Sequence, residues 1–379
     1  MPDVLIVAGE PSGDALAGEL VRAAGELRPE VRFFGVTGPE LDAAGAERIL
    51  PTSTLSAMGL TEVVGKIPTA LAALSTLERA AVERRAVGAV LVDAPDFNLR
   101  LARRLVRRGV PVVQYVAPTV WAWRRGRIRA VRRAVRRLLV TLPFETEAYR
   151  EAGVDAVYVG HPAADRLPDP RPPRAEVAAR AGLPVDRRWV ALLPGSRAAE
   201  LERLGGPFAA AAARIVAHAP DAAFVAPVAP GVDPRRVADS LSGGAPVTLV
   251  QDGRHEVLAH CVAAVAASGT ASLELALLGV PHVVAYRVSA LTWRAARLLV
   301  RVEHVALPNL IAGKAVVPEF LQGAVRPPAI AGPVLTWLAD EDARAEVVRG
   351  LAQVREAVGP PGVAGRAARE TLDAFGLGL

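Results

Sequence analysis

The sequence predicts an α/β protein with two doubly wound, Rossmann-like domains that face a cleft, and three observations support this fold class. The chain has 379 residues, more than one hydrophobic core usually serves. Apolar runs alternate with helical segments along both halves, as in parallel sheets covered by helices on both faces. The proline-dense segment Leu167–Pro173 separates the halves and can form neither a helix nor a central strand.

Each apolar run predicts one strand of a parallel sheet. In the first half the predicted strands are Val4–Ala8, Val31–Val36, Ala89–Val92, Val112–Tyr115, Leu138–Thr141 and Ala156–Val159. In the second half they are Trp189–Leu193, Ala223–Pro227, Val247–Val250, Ala263–Ala267, His282–Ala285 and Val305–Leu307. The predicted domains are residues 1–168 and 169–360. A C-terminal helix is predicted over 361–379, and its return to the first domain stays open.

The composition argues against several protein classes. The net charge is +6, and nearly all the positively charged side chains are arginines, since Lys66 and Lys314 are the only lysines. The sequence has no uncharged apolar run long enough for a transmembrane helix, and its start, MPDVLIVAGEPSGD, is unlike a signal peptide. The single Cys261 argues against a disulfide framework and is typical of a reducing cytoplasm. The six histidines form no H-x-x-x-H pair, so no metal site is predicted.

The most distinctive motif is LLPGSR, which ends at Arg197 and is followed by Glu200. It predicts a strand, a tight turn and a helix N-terminus, where free N–H groups and the helix dipole attract phosphate. Gly195 allows close backbone approach, and Ser196 and Arg197 add a hydroxyl and a planar cation. We therefore expect a diphosphate-binding turn. An ordinary β–α turn with a surface arginine is the alternative.

Polar residues also follow the first predicted strand. The loop Gly9–Asp14 contains Glu10, Ser12 and Asp14, and it lacks the G-x-G-x-x-G fingerprint of dinucleotide-binding proteins. Its carboxylates and small residues suit a hydroxylated sugar. Capping of the next helix by Ser12 or Asp14 is the alternative.

Asp93 ends another predicted strand, and Asp96 and Asn98 follow it. A partly desolvated carboxylate at a strand end suits a general base, because burial raises its pKa. Local hydrogen bonding to the backbone is the alternative.

In the second half, Ser268, Gly269 and Thr270 end a strand and begin a helix that carries Glu274. This arrangement suits phosphate oxygens at the turn and the ribose hydroxyls at Glu274. A first-turn acid that merely favours the helix dipole is the alternative. Further along the chain, Asn309 and Gln322 are expected to close the sugar pocket.

An arginine-rich segment, 124–137, follows the Trp-containing run Val116–Trp123. Ile128, Val131, Val135 and Leu138 recur at helical spacing, which predicts an amphipathic basic helix. A solvated face, a nucleic-acid surface and an anionic membrane surface remain open. The apolar stretch Ser56–Leu77 is either a buried helix or a surface for acyl chains.

Taken together, the motifs resemble those of a known family. In order they are AGEPSGD, GVTGPE, MGLTEVVG, VDAPDFN, YVAPTVWAWR, LPFE, VGHP, LLPGSRAAE, ASGTASLE, VVAYR, LPNLIAG and VPEFLQ. The set runs from Ala8 to Gln322 and resembles the lipid-A-disaccharide synthase family. Leu41 and Thr119 depart from the residues common there, without affecting any position given a chemical role.

The resemblance implies a B-type glycosyltransferase fold and transfer from UDP-2,3-diacylglucosamine to 2,3-diacylglucosamine 1-phosphate (lipid X). The implied products are the β-1′,6-linked disaccharide 1-phosphate and UDP, formed with inversion and without metal or cofactor. The first domain would bind the acceptor and the membrane, and the second the UDP-sugar. A cytoplasmic protein, peripheral on the inner membrane and without a nucleic-acid partner, is expected, while a homodimer stays open.

The resemblance also assigns roles to residues. Asp93 is the expected base, with Glu10 as the second candidate. The nucleotide-sugar site is expected to comprise Gly195, Ser196, Arg197, Ser268, Gly269, Thr270, Glu274, Asn309 and Gln322. The substrate cleft is expected to include Ser12, Asp14, Asp96, Asn98, Trp121 and His161. A UDP-N-acetylglucosamine epimerase, a soluble-acceptor transferase and an arginine-helix nucleic-acid-binding protein are the alternatives.

Overall fold

A computed structural model describes residues 1–56, 63–118, 126–229, 231–289, 293–294 and 303–378. The chain divides into two compact units, the first made of Met1–Pro162 with Pro360–Leu379 and the second of Ala163–Gly359. The sequence placed the boundary after residue 168. The second unit begins earlier because Ala163 and Ala164 pack into its core beside Leu273 and Leu277.

Within its described residues, the first unit contains a seven-stranded parallel sheet in the order β3-β2-β1-β4-β5-β6-β7. The strands are β1 Asp3–Ala8, β2 Arg32–Thr37, β3 Glu47–Pro51, β4 Gly88–Val92, β5 Val112–Tyr115, β6 Arg137–Val140 and β7 Ala156–Tyr158. The helices are α1 Pro11–Leu27, α2 Pro39–Ala43, α3 Ser53–Ser56, α4 Val63–Glu83, α5 Pro95–Arg107, α6 Gly126–Ala134 and α7 Glu145–Arg150, and the chain leaves this sheet through a 3₁₀ turn, Pro162–Arg166.

Helices cover both faces of this sheet. On one face α1 packs through Leu20 and Val21 together with Leu372 of the C-terminal helix, Val363–Ala374. On the other face α4 and α5 pack through residues such as Leu77 and Leu105. The C-terminal helix is held further by Arg137, which pairs with Asp155 at 2.9 Å, Glu370 at 2.9 Å and Asp373 at 2.7 Å.

In the described part of the second unit, six parallel strands form a sheet in the order β10-β9-β8-β11-β12-β13. The strands are β8 Arg188–Leu193, β9 Ala222–Pro227, β10 Val247–Val250, β11 Ala263–Ala267, β12 His282–Tyr286 and β13 Glu319–Leu321. The helices of this unit are α8 Arg174–Ala181, α9 Ala198–His218, α10 Pro234–Ser240, α11 Arg254–Ala259, α12 Thr270–Leu277, α13 Leu307–Ala312, α14 Pro327–Ala339 and α15 Glu341–Val358, with a 3₁₀ turn at Gln322–Ala324. The C-terminal helix of the first unit, Val363–Ala374, is α16.

The two sheets confirm the predicted α/β doubly wound class, with three corrections to the elements. The predicted strand Val305–Leu307 is absent, because Leu307 and Pro308 begin α13, where a proline is favoured. Two edge strands, Glu47–Pro51 and Glu319–Leu321, were not predicted. Their half-exposed, partly polar sequences lack the apolar signal of a central strand.

The predicted basic helix ends earlier than its sequence pattern indicates. Helix α6 ends at Ala134, and Leu138 lies in β6 rather than on the helix. The helix ends there because the chain turns into the sheet, and the Arg136 N–H already donates to the Val112 carbonyl at 2.8 Å.

Candidate functional site

The first unit has its topological switch point between β1 and β4. These strands are neighbours in the sheet, and the helices that follow them, α1 and α5, pack on opposite faces. Ligands of doubly wound sheets bind at the carboxyl ends of strands at this point. Gly9 sits directly against the turn after β4, since a Cβ on Gly9 would lie 2.8 Å from the Cβ of Ala94. The structure therefore brings the Glu10 loop beside the Asp93 turn.

The Asp93 turn has an unusual backbone. Asp93 has φ +50° and Ala94 has φ +40°, in the left-handed region where residues with a Cβ are strained. The half-buried Asp93 carboxyl lies at the carboxyl end of β4, and burial raises its pKa, against a smaller lowering by the Ala94 backbone N–H. A partly desolvated carboxyl group at a strand end suits a general base.

Two buried amide side chains hold this turn. Asn98 Nδ2 donates to the carbonyls of Val92 at 3.1 Å and Asp93 at 2.7 Å, and Gln114 Nε2 donates to the Asp93 carbonyl at 3.2 Å. Both residues are fully buried. Asn98, predicted to contact substrate, is thus a positioning residue, because its amide N–H groups are directed at the backbone. Gln114 was missed, although a glutamine within the apolar run of β5 was a signal.

Replacing Asn98 with Leu removes these donors at nearly constant volume. We expect kcat to fall by about 10²-fold, the cost of a misplaced reacting group, while UDP affinity stays unchanged. The pH dependence of kcat is expected to shift as well, because the carboxyl group changes its surroundings. A folded Asn98→Leu protein with native kcat and pH profile would show that the amide does not position Asp93.

Asp14 has a structural role rather than the predicted contact with substrate. Its carboxylate is almost fully buried and accepts from the N–H groups of Gly38 at 2.7 Å and Glu40 at 2.9 Å. It therefore caps α2, whereas the sequence offered only a cap of α1 as the alternative. These N–H partners account for the buried charge of Asp14.

The remaining predicted residues of the first unit differ in exposure. Glu10, Ser12 and Asp96 are exposed at the carboxyl ends of β1 and β4. His161 is half-buried near the end of the unit. Trp121 lies outside the described residues. Their substrate contacts stay predictions.

In the second unit the switch point lies between β8 and β11, which pair through Leu192 and Val265. This pairing brings the LLPGSR turn next to the turn of Ser268, Gly269 and Thr270. Gly195 has φ +120°, which favours glycine, so the turn requires this residue type. The predicted nucleotide-binding motifs therefore share one sheet edge.

The sequence predicted free N–H groups at the LLPGSR turn, but two of them already donate hydrogen bonds within the protein. The Glu200 carboxylate folds back over Gly195 and accepts from Ser196 N at 3.0 Å and Arg197 N at 3.2 Å. It also pairs with Arg197 Nη1 at 3.3 Å, while 84% of the Arg197 side chain remains exposed. Glu200 was assigned no role from the sequence, although its position at the third residue of α9 is typical of a capping box.

Glu274 is buried in an ion-pair cluster that the sequence did not predict. One carboxylate oxygen accepts from Arg254 Nη2 at 2.7 Å, and the other faces His255 Nε2 at 3.4 Å. Burial opposes ionisation, but the His255 hydrogen bond and the charges of Arg254, His255 and Arg166 outweigh it and lower the pKa of Glu274. Glu274 is therefore ionised at neutral pH and retains acceptor capacity beyond these two partners.

Asn309 does not line a pocket as predicted. It is fully buried; its Oδ1 accepts from the N–H groups of Val316 at 2.7 Å and Val317 at 2.9 Å, and its Nδ2 donates to Glu319 at 2.5 Å. These bonds tie α13 to the approach to β13. Asn309 is therefore a structural residue.

Gln322 is likewise engaged by the backbone. When its side-chain amide is oriented so that both the nitrogen and the oxygen have partners, the nitrogen donates to the Val288 carbonyl at 3.1 Å and the oxygen accepts from the Val288 N–H at 3.0 Å. Ser268 Oγ donates to the Val305 carbonyl at 3.2 Å. Thr270 is exposed and begins α12, so its place at a helix N-terminus matches the prediction.

The described residues contain neither a metal-binding cluster nor a helix that could span a membrane. Among them, no group of three or more His, Cys, Asp or Glu side chains is placed to hold a metal ion. No helix in the same ranges is both long and apolar enough to cross a bilayer.

Comparisons with known proteins bear on both units. A family model described as lipid-A-disaccharide synthetase matches residues 4–359. The chain is 46% identical over 371 residues to the lipid-A-disaccharide synthase of Anaeromyxobacter dehalogenans, covering 97% of this chain and 96% of that protein.

Solved structures resemble the fold. S. aureus MnaA, in its co-structure with UDP, gives a TM-score of 0.68 at 12% identity and covers 100% of this chain and 98% of its own. The glycotransferase of kitacinnamycin gives a TM-score of 0.66 at 18% identity, with 99% and 100% covered. At these identities the likeness concerns the fold, which is that of the B-type glycosyltransferases.

Proposed function

This chain belongs to the lipid-A-disaccharide synthase family of glycosyltransferases, and from that premise we propose that it joins UDP-2,3-diacylglucosamine to lipid X. The products are the β-1′,6-linked disaccharide 1-phosphate and UDP, and the reaction proceeds with inversion and without metal. Asp93 carries the proposal, because a half-buried carboxyl group with a raised pKa at the switch point of the sheet suits the base of a direct displacement.

In the proposed step, an Asp93 carboxylate oxygen takes the proton of the acceptor 6-hydroxyl. The hydroxyl oxygen forms a bond to the anomeric carbon of the donor, and the bond between that carbon and the diphosphate oxygen breaks. UDP leaves with the bonding electron pair, and attack from the opposite face inverts the anomeric centre. Glu10, exposed in the neighbouring loop, is the second candidate for the base.

The second unit is proposed to stabilise the leaving diphosphate. The exposed Arg197 guanidinium supplies a positive charge, and the N-terminus of α12 at Thr270 supplies N–H groups. Support comes also from S. aureus MnaA, a protein of this fold whose solved structure contains UDP. The ionised Glu274 is proposed to accept both ribose hydroxyls on oxygen lone pairs that Arg254 and His255 leave unused.

Glu200 is expected to compete with the diphosphate, because its carboxylate occupies N–H groups of the same turn. Glu200→Gln keeps an acceptor and removes the charge, so UDP is expected to bind about 2- to 5-fold more tightly, the scale of one exposed charge interaction. Isothermal titration calorimetry with UDP measures this. An unchanged affinity would indicate that the diphosphate avoids the turn.

Association with the inner-membrane surface is part of the proposal, since both substrates carry acyl chains. The exposed arginines of α6, including Arg129 and Arg132, are suited to anionic headgroups. The proposed location is therefore the cytoplasmic face of the inner membrane, with the protein bound peripherally.

The reaction is tested with purified protein, UDP-diacylglucosamine and lipid X. Mass spectrometry is expected to detect the disaccharide 1-phosphate and an equal amount of UDP, also in the presence of EDTA. Conversion of the donor in the absence of lipid X would instead support an epimerase. Loss of activity in EDTA that returns with added metal would contradict the metal-free reaction.

A further inference from the structure

A groove on the first unit is surrounded by arginines. It lies between α5 and α6 and has a volume of about 570 Å³. Its lining residues are Arg103, Val106, Arg107, Arg129, Ala130 and Arg133. All four arginines are exposed, so the groove is open to solvent on the outside of the helical layer.

The helical spacing explains how the arginines meet. Arg103 and Arg107 are four residues apart on α5, and Arg129 and Arg133 are four residues apart on α6, so each pair shares one helix face. Like charges at this spacing destabilise a helix. Two such pairs facing one groove raise the electrostatic cost further, and a bound anion relieves it.

The neighbouring arginines are neutralised within the protein, in contrast to those of the groove. Arg104 and Arg108, also on α5, both pair with Glu78 of α4, at 3.5 Å and 2.7 Å. Within the described ranges, none of the four groove arginines forms an ion pair, and no acidic residue lines the groove. The groove therefore has uncompensated positive charge.

Apolar side chains lie beside this charge. Val106, within the groove, is 41% exposed, and the half-buried Ala130 lines the groove from α6. An inorganic ion gains nothing from exposed apolar surface. A molecule with a phosphate group attached to hydrocarbon contacts both kinds of surface, as at an interfacial membrane site.

We propose that this groove binds the phosphate headgroup of an anionic membrane lipid. The arginine guanidinium groups donate to the phosphate oxygens in pairs, a geometry in which arginine surpasses lysine. Val106 and Ala130, the apolar residues of the lining, contact the first carbons of the lipid. This inference deepens the proposed function by assigning the membrane contact to a defined site, and it rests on that function only for the membrane setting.

The test compares two double variants with equal loss of charge. Arg107→Gln/Arg133→Gln removes one arginine from each side of the groove, whereas Arg235→Gln/Arg236→Gln removes two exposed arginines from α10 of the second unit. Co-sedimentation uses vesicles of phosphatidylcholine with phosphatidylglycerol. The groove variant is expected to bind about 30-fold more weakly, the effect of two contacts of about 1 kcal/mol each. The control variant is expected to bind like the native protein.

A third variant separates headgroup recognition from general attraction. Arg107→Lys/Arg133→Lys keeps the charge and loses the paired donor geometry, so we expect an intermediate loss of affinity. Equal binding by the lysine, glutamine and native proteins would overturn the proposal, as would an equal loss in the α10 control. Circular dichroism verifies that each variant is folded.

Competition distinguishes the possible sources of phosphate. Inorganic phosphate at millimolar concentration is expected to leave vesicle binding unchanged relative to chloride of equal ionic strength. Release by phosphate, or a groove-dependent preference for duplex DNA over the vesicles, would overturn the lipid assignment. Because this assay contains neither UDP-sugar nor lipid X, its result does not depend on whether the proposed glycosyl transfer occurs.

Discussion

Asp93→Asn is expected to lower disaccharide formation by about 10²–10⁴-fold, the usual contribution of a positioned general base, while UDP binds as in the native protein. Asparagine is the appropriate replacement because it tolerates the left-handed backbone at this position, φ +50°, better than most residues. The amide cannot accept the proton of the acceptor hydroxyl. Steady-state kinetics together with UDP titration measure both effects.

The pH dependence gives a second signature of the same carboxyl group. Burial raises the pKa of Asp93, and only the ionised form acts as base, so kcat/KM is expected to rise with pH through that raised pKa. The residual activity of Asp93→Asn is expected to lack this rise. If Asp93→Asn keeps near-normal turnover and Glu10→Gln does not, the base is Glu10.

Stability should change in the opposite direction to activity. Since the folded-state pKa of Asp93 is raised, the folded protein binds this proton more tightly than the unfolded chain does, and stability from this group is lost as pH rises through that pKa. Asp93→Asn removes the charged form and is expected to raise Tm at neutral pH. Thermal denaturation of the native and Asp93→Asn proteins at one pH below and one pH above the titration of Asp93 checks the sign of this difference in Tm.

Arg197→Ala is the other change with a large expected effect. Arg197 is highly exposed at the LLPGSR turn, and its charge is offset only by Glu200 at 3.3 Å among the described contacts. Loss of one group that stabilises developing charge typically costs about 10²–10³-fold in kcat. We expect a decrease of that size, and added magnesium is expected not to restore activity.

Arg197→Lys is the matched control for Arg197→Ala. It retains the positive charge but lacks the planar pair of donors, so partial activity is expected. Near-native activity of Arg197→Ala would place diphosphate stabilisation elsewhere. The neighbouring helix N-terminus at Thr270 would then be the first group to examine.

Much of the fold was predictable because its central strands are continuous apolar runs. The central strands Val112–Tyr115 and Ala263–Ala267 have the same bounds in the sequence prediction and in the structure. Two of the edge strands, Glu47–Pro51 and Glu319–Leu321, carry no such signal, since none of their residues is fully buried. The apolar run Val305–Leu307 predicted a strand that is absent, because Leu307 and the proline that follows it begin a helix.

The candidate site was predictable only in part, for a related reason. Strand ends can be located from the sequence, so Asp93 and Arg197 could be placed after the strands that carry them. Their partners depend on tertiary packing, which places Gln114 under the Asp93 turn and Arg254 against Glu274. The same packing buries Asn309, whose polarity alone suggested a pocket residue.

The most direct test of the central claim is the linkage of the product that the purified protein forms from UDP-diacylglucosamine and lipid X in EDTA. Proton NMR of the isolated disaccharide reports the configuration of the new anomeric centre. We predict a β-1′,6 linkage, formed from the α-linked donor in amounts equal to the UDP released. An α linkage, or UDP release without disaccharide, would contradict direct displacement by the acceptor hydroxyl.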